Sequence, residues 1–137
     1  SDIHNPVHAA SRFVKAMPQG DFIATRVQVA GGGALHGTWD TSLGTDEAPE
    51  LVNRSVQEYA AEFAKTSQTG ARNLDPKKWI DESFVLAKAE VYSFGLAVGS
   101  REQPVILDAA YLEKARQISR RRAGLAAARS DRPGRGR

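Results

Sequence analysis

The middle of the chain reads Asp75-Pro-Lys-Lys-Trp-Ile-Asp-Glu-Ser-Phe-Val-Leu-Ala-Lys-Ala-Glu-Val91, and this stretch predicts an α-helix. Asp75 is a favourable N-cap residue, and Pro76 suits the first helical position. Apolar residues then recur at helical spacing and form one stripe, at Ile80, Phe84, Ala87 and Val91. We expect this stripe to face the core.

Two further long helices are predicted on either side of this segment. The first covers residues 51–63, where one helical face carries Leu51, Val52, Val56, Tyr59, Ala60 and Phe63. The second begins after Asp108 as its cap, with Tyr111, Ala115, Ile118 and Leu125 facing inward.

The first 43 residues predict shorter elements. Residues 1–16 are interpreted as the end of a helix, closed by a loop at 17–20, and residues 35–43 as a short helix. Residues 22–29 end in β-branched alternation, which is typical of a short strand or hairpin arm, before the glycines at 31–33. The predicted fold class is therefore mainly α with a small β hairpin.

Composition limits the chemistry that the chain can perform. Its 137 residues suit one domain, and 41% hydrophobic and 26% charged residues are ordinary for a globular protein. No apolar run is long enough to predict a membrane span. The absence of cysteine excludes disulfides, cysteine-based zinc sites and a thiol nucleophile. A metal site would have to be built from His, Asp and Glu.

The net charge of +3 is concentrated near the C-terminus. The last eighteen residues hold seven arginines, namely Arg120, Arg121, Arg122, Arg129, Arg132, Arg135 and Arg137. Glycine and proline accompany them after Ser130, so we expect a folded portion over residues 1–126 and a basic, disordered tail over 127–137. Contact of this tail with nucleic acid is one hypothesis, and a solvated end is the simpler one.

Four residues form a pattern that suits metal binding. His36 and Asp40 are four apart on a predicted helix, so their β-carbons would lie about 6 Å apart on one face. Asp2 and His8 flank Pro6, which would bend the chain between them. Such N and O donors suit zinc better than copper or iron–sulfur chemistry. By spacing alone, the simpler interpretations are a His36–Asp40 hydrogen bond along the helix and a buried His8, and Trp39 favours a place in the core.

Longer motifs around these residues resemble a known family. Ser1-Asp-Ile-His-Asn-Pro-Val-His8 and Leu35-His-Gly-Thr-Trp-Asp40 are similar to Gly-Asp-x-His-Gln-Pro-Leu-His and Asn-Leu-His-x-x-Trp-Asp. Those patterns belong to the zinc-dependent single-strand nucleases of fungi and plants, the S-one/P-one type. Three later stretches resemble the same family: Trp79-Ile-Asp-Glu-Ser83, Val91-Tyr92 and Leu107-Asp-Ala-Ala-Tyr111. The resemblance covers residues 1 to about 126.

The resemblance implies a multi-helix fold of the phospholipase C/nuclease type with three zinc ions in a cleft. His8, His36 and Asp40 match the protein ligands of one solitary zinc, and Asp2 matches the carboxylate shared by the other two. The remaining ligands of that pair match nothing in this chain, which leaves about one complete site. Since Ser1 is not an initiator Met and Asp2 follows directly, we expect the chain to be the C-terminal part of a partial domain. His4 matches a non-ligand position and is interpreted as either outer-sphere or exposed.

The implied activity is zinc-dependent hydrolysis of phosphodiester bonds in single-stranded DNA or RNA to 5′-nucleotides, with 3′-phosphomonoesters as a second substrate. A metal-bound water held through Asp2 would attack phosphorus, and no protein general acid or base is assigned. The implied partners are single-stranded nucleic acid or nucleotides, for a monomeric, secreted or periplasmic protein. Two alternatives stay open: a phospholipase C-like phosphodiesterase, and a non-catalytic fragment that binds one zinc.

Two stretches depart from the family pattern. Asp21-Phe-Ile-Ala-Thr25 stands where the family has Asp-Arg-Gly-Gly-Asn, so glycines that allow close backbone approach are replaced. Arg121-Arg-Ala-Gly-Leu-Ala126 stands where the family has Ala-Gly-x-Arg-Leu-Ala, so two arginines replace small packing residues.

Overall fold

The computed structural model describes residues 2–44, 57–58, 61, 72–95 and 97–130. This part of the chain is mainly helical, as predicted. Within the described residues, the α-helices whose bounds are defined cover Leu35–Asp40 (α1), Pro76–Leu86 (α2) and Ala109–Ser130 (α3). Most of the predicted helix at 51–63 lies outside the described residues. No helix among those described has the length and apolar character needed to cross a membrane.

The N-terminal segment forms two 3₁₀-helices, Asp2–His4 and Pro6–Ala9, where the sequence predicted the end of a longer helix. The reason lies at the Asn5-Pro6 junction. Pro6 cannot donate a backbone hydrogen bond, and the Asn5 side chain instead caps the second helix by accepting from the Val7 amide at 3.3 Å. The chain therefore restarts at Asn5 and does not continue one helix.

The predicted hairpin is not confirmed: the described part of the chain has no extended strand, although a few backbone contacts pair residues 27–29 with 33–35. Residues 22–26 curl into turns, and pairing is limited to isolated bridges, such as Gln28 with Ala34 and Val29 with Val105. Asp21 causes the curl, because its buried carboxylate accepts hydrogen bonds from the Arg12 amide at 3.0 Å and the Ala24 amide at 3.1 Å. The β-branched alternation at 22–29 thus overestimated the extent of β structure, because residues 22–26 form turns.

The start of α2 is as predicted, with the Asp75 side chain accepting from the Lys77 amide at 3.0 Å and Pro76 in the first turn. The helix then widens into a π-helical turn over Ala87–Val91. Ala87 and Val91 are buried, but Ile80 and Phe84 are each 45% exposed. The inward face of α2 is therefore rotated from the predicted stripe, and it carries the buried Ser83 instead.

The long helix α3 begins after Asp108, whose side chain accepts from the Tyr111 amide at 2.7 Å, as predicted. It continues to Ser130, so the boundary expected at residue 126 lies inside the helix. Residues 131–137 are outside the described part of the chain. The helix side that faces the rest of the protein buries Ala115, Ile118 and, unexpectedly, two arginines.

A small apolar core joins α1, the π-helical turn and α3. It consists of Val7, Ala24, Val27, Leu35, Trp39, Ala87, Val91, Val105, Ala115 and Ile118. Trp39 is 2% exposed, which confirms its place in the core. Its indole N–H donates to the Tyr111 hydroxyl at 2.9 Å, and that hydroxyl donates to the Val91 carbonyl at 2.7 Å. Burial raises the pKa of Tyr111 to about 12, so the hydroxyl keeps the proton that it donates.

Two of the C-terminal arginines form a buried charge network with α2. The Arg122 and Arg129 side chains are 7% and 1% exposed, and both donate to the Glu82 carboxylate, at 2.8 Å and 3.0 Å. Arg129 therefore does not belong to a solvated tail, although it lies in the stretch expected to be disordered, and Arg122 is buried within the portion expected to be folded. A helix can bury a guanidinium where a carboxylate and carbonyls satisfy its donors.

The same network holds the N-terminal segment against α2 and α3. Arg122 Nε donates to the His4 carbonyl at 3.0 Å, and Ser83 Oγ donates to the Ile3 carbonyl at 2.6 Å. The His4 ring accepts from Arg129 at 3.1 Å and is buried. Burial, followed by the charges of Arg122 and Arg129, lowers the pKa of His4 to about 4, so the ring is neutral near pH 7.

Replacement of Glu82 by Gln should destabilise the fold, because it leaves two buried guanidinium groups without a counter-charge. Glu82 is about one third exposed, which reduces the expected loss to about 2 kcal/mol in the free energy of unfolding. Urea unfolding measures this loss. The matched control is Glu113→Gln, which breaks an exposed pair with Arg116 and should cost less than about 1 kcal/mol. Equal losses in both variants would contradict the network.

The stabilisation by Glu82 should also depend on pH. Burial raises the pKa of Glu82, but hydrogen bonds from Arg122 and Arg129 outweigh burial and hold the pKa below its ordinary value of 4.5. As pH falls, Glu82 is therefore protonated first in the unfolded state. The stabilisation that Glu82 gives the folded state is complete above pH 4.5 and is lost as pH falls below it. We expect the stability difference between wild type and Glu82→Gln to shrink between about pH 5 and pH 3. A difference that stays constant down to pH 3 would refute this.

Candidate metal centre

The 3₁₀ conformation of the N-terminal segment determines which of its side chains share a face. Residues three apart are eclipsed in a 3₁₀-helix, and Asp2, Asn5 and His8 follow this spacing. All three line one cleft of about 330 Å³, together with Asp40. The intervening residues point elsewhere, with His4 and Val7 buried. The segment therefore presents a row of polar groups to the cleft.

Helix α1 supplies the other two side chains of the site. His36 and Asp40 lie one helical turn apart, and His36 Nε2 is 3.0 Å from Asp40 Oδ2. Asp40 Oδ1 is 3.0 Å from His8 Nε2, across 32 residues of sequence. The two imidazole rings are 4.9 Å apart between centroids. One potential ligand atom from each of these three residues lies within 4.8 Å of the others.

The orientation of His36 is determined by a backbone carbonyl. His36 Nδ1 lies 2.8 Å from the Ile23 carbonyl oxygen, and a carbonyl can only accept, so Nδ1 carries a proton. In the neutral ring Nε2 then has a lone pair, which faces the Asp40 carboxylate. The Nε2 lone pair and Asp40 Oδ2 are both acceptors, and at 3.0 Å they repel each other unless a cation lies between them or the ring carries a second proton. The site is therefore arranged for positive charge, and a metal ion fits that requirement.

The donor set itself suits zinc. Two imidazole nitrogens and one carboxylate are the ligand types of catalytic zinc sites, where a fourth position stays open. The Asp40 side chain is 41% exposed and the cleft reaches solvent beside it, so space for that position is available. A backbone carbonyl on the outer nitrogen of His36 is the usual second partner of a zinc-ligating histidine.

The carbonyl that orients His36 comes from a strained turn. Phe22, Ile23 and Ala24 have φ values of 50, 52 and 63°, in the left-handed region that disfavours residues with a β-carbon. Asp21 ties this turn together through the Ala24 amide, and the Ala24 carbonyl accepts from the His36 amide at 3.3 Å. The turn thus contacts α1 through two consecutive carbonyls.

This is the stretch where the sequence departs from Asp-Arg-Gly-Gly-Asn. Glycine adopts such φ values without steric cost, whereas each other residue loses roughly 1–2 kcal/mol. The chain therefore keeps a conformation suited to glycine although Ile23 and Ala24 now occupy it.

The predicted site residues have three different outcomes. His8, His36 and Asp40 come together in one group. Asp2 lines the same cleft but is not a member of that group. His4 is not exposed, since it packs against the Trp79 ring at 5.1 Å between centroids.

Sequence reasoning missed two contributors to the site, the Asn5 side chain and the Ile23 carbonyl. Asn5 Nδ2 donates to Asp40 Oδ1 at 2.9 Å. The spacing of three between Asp2, Asn5 and His8, next to Pro6, was the signal that could have revealed Asn5. No pattern in residues 21–25 indicates the carbonyl, because a backbone group takes its direction from the turn.

A comparison with family models agrees with the resemblance read from the motifs. The model of the S1/P1 nuclease family matches residues 1–130. No curated protein matches the chain, and no solved structure does. The matched range includes the candidate ligand residues of the cleft and the whole of α3, with its two buried arginines. The chain therefore belongs to the S1/P1 nuclease family.

Proposed function

We propose that the chain forms part of a zinc-dependent hydrolase that cleaves phosphodiester bonds of single-stranded nucleic acid. The observation that carries the proposal is the convergence of His8, His36 and Asp40 within 4.8 Å beside an open cleft. Family membership supports the nuclease activity, since the family is one of nucleases. The dependence on zinc rests on the donor set.

In this proposal His8, His36 and Asp40 hold one zinc ion. When bound, the ion supplies Lewis acidity toward a phosphate oxygen. The Ile23 carbonyl keeps the proton of His36 on Nδ1, so that Nε2 would be available to bind the ion. Asp40 brings the one negative charge of the three donors, so a doubly charged ion would keep one positive charge at this group and would attract a phosphate group.

We assign Asp2 to the same cleft as a carboxylate for further zinc ions, as the family resemblance implies. The described residues contain one group of three or more potential donors, and Asp2 is outside it. A complete two-metal arrangement, which stabilises both the attacking and the leaving oxygen, therefore requires donors beyond those described. We accordingly expect slow hydrolysis by the chain alone.

The convergence of His8, His36 and Asp40 also favours a second role for the isolated chain, that of a domain that binds one zinc ion. An ion held by His8 on the N-terminal segment and by two residues of α1 would link these elements. Such a link stabilises the folded state whether or not a substrate is bound.

We further propose that the protein acts as a monomer outside the cytoplasm. Members of the family are typically secreted. Gel filtration tests the monomeric state, and elution at the size of a dimer would contradict it. Detection of the protein in the culture medium or periplasmic fraction tests the location, and its retention in the cytoplasm would contradict it.

The purified chain should bind about one zinc ion, and His36→Ala and Asp40→Ala should each weaken that binding by at least tenfold, because each removes one of three donors. Elemental analysis after dialysis against trace zinc gives the stoichiometry.

Bound zinc should also raise the midpoint of thermal unfolding, and a chelator should reverse the rise. Asp81→Asn, an exposed change on α2, is the matched control and should bind like wild type. A chain that binds no zinc contradicts the proposed site.

The zinc-loaded chain should hydrolyse single-stranded DNA, RNA or a 3′-nucleotide slowly, and Asp40→Ala should lose that activity, because it removes the charged donor. Product formation is followed with zinc and with chelator, in wild type, Asp40→Ala and Asp81→Asn purified in parallel. Equal rates of a zinc-dependent activity that elutes with the protein in wild type and Asp40→Ala would contradict the assignment. One bound zinc without hydrolysis would leave the one-zinc binding role for this chain. Faster cleavage of phosphatidylcholine than of nucleic acid would replace the nuclease with a phospholipase C-like enzyme.

A further inference from the structure

We infer that Asn5 is a positioning residue, which holds the Asp40 carboxylate in the orientation that a metal ion needs. The inference rests on the proposed metal site, and it goes further by assigning a role to a residue that is not a ligand. Asn5 lies on the N-terminal segment, 35 residues from Asp40 in sequence, and its side chain is only partly exposed.

Two hydrogen bonds determine which way the Asn5 amide points. Its oxygen accepts from the Val7 amide at 3.3 Å, and its nitrogen donates to Asp40 Oδ1 at 2.9 Å. A flipped amide would place an N–H against the Val7 N–H and an oxygen against the carboxylate, so both contacts would become repulsive. The cap of the second 3₁₀-helix therefore aims the Asn5 nitrogen at Asp40.

The consequence for Asp40 is a carboxylate held at both oxygens. Asn5 and His8 both approach Oδ1, and His36 approaches Oδ2 at 3.0 Å. Both histidines would turn their Nε2 lone pairs to a bound ion, so their own hydrogen bonds to Asp40 would be lost. The Asn5 bond does not compete with the ion in this way, because an amide nitrogen is a donor and not a ligand.

Asp40 needs such a restraint because little else would confine it once both histidines had turned to an ion. It is the last residue of a six-residue helix, and its side chain is 41% exposed. A free carboxylate would lose rotational freedom on binding an ion, and a side chain that is already oriented avoids that cost. Partners of this kind typically change metal affinity by roughly 10–100-fold.

Asparagine suits both tasks of this position. Asn, Asp and Ser are favoured N-cap residues, and Gln, which the family pattern has here, is not. The capping oxygen and the donating nitrogen belong to one short amide, so the cap and the orientation of Asp40 are coupled. Serine would keep the cap, because its hydroxyl can accept from the Val7 amide, but it is too short to reach Asp40.

This difference between Asn and Ser gives the test. Zinc dissociation constants are measured by competition with a chromophoric chelator for wild type, Asn5→Ser and Asn5→Ala, together with the unfolding midpoints of the metal-free proteins. We expect Asn5→Ser to keep the metal-free midpoint close to wild type while its zinc dissociation constant rises roughly 10–100-fold. Asn5→Ala should show the same loss of affinity and, in addition, a lower midpoint from loss of the cap.

Cobalt(II) in place of zinc provides a second readout that fold stability alone would not change. The intensity of its visible absorption reports the coordination number, and it should differ between wild type and Asn5→Ser if the carboxylate is reoriented. An unchanged dissociation constant together with an unchanged cobalt spectrum in Asn5→Ser would overturn the role of Asn5. Wild type that binds neither zinc nor cobalt would instead overturn the proposed metal site, so the two failures are distinguishable.

Discussion

The pairing of Glu82 with two buried arginines is the interaction on which the arrangement of this protein depends. Arg122 and Arg129 belong to α3 and Glu82 to α2, so one carboxylate joins the two longest described helices. One further donor of each arginine extends the network to the N-terminal segment, through the carbonyl and ring of His4. A buried guanidinium is tolerated only where its charge and N–H groups are satisfied, so these elements have to assemble together.

The N-terminal segment connects the charge network with the cleft. The Ile3 and His4 carbonyls accept hydrogen bonds from Ser83 and Arg122 of the network. Asp2, Asn5 and His8 recur every three residues and line the cleft instead. The network on one side of the segment and the candidate metal centre on the other are thus two faces of the same short stretch. The backbone contacts of Ile3 and His4 thus help to place His8 beside the cleft.

On the other side of the cleft, the turn at residues 22–24 accepts unfavourable backbone angles and directs a carbonyl at His36. Local strain that persists in a fold commonly marks a functional site, where the surroundings compensate for it. Here the compensation is visible in the buried Asp21, which binds the Arg12 and Ala24 amides. The glycines of the family pattern are replaced, and the geometry for which they are suited remains.

The sequence by itself determined the features that depend on neighbouring residues. Asp75-Pro76 and Asp108 start their helices because capping is local, and the four-residue spacing of His36 and Asp40 places both on one helix face. Only the tertiary structure decided the rest. It decided that α2 buries Ser83 and exposes Phe84, because the packed face of a helix depends on its partners. The burial of Arg122 and Arg129 likewise depends on a carboxylate some forty residues away, and no periodicity could indicate it.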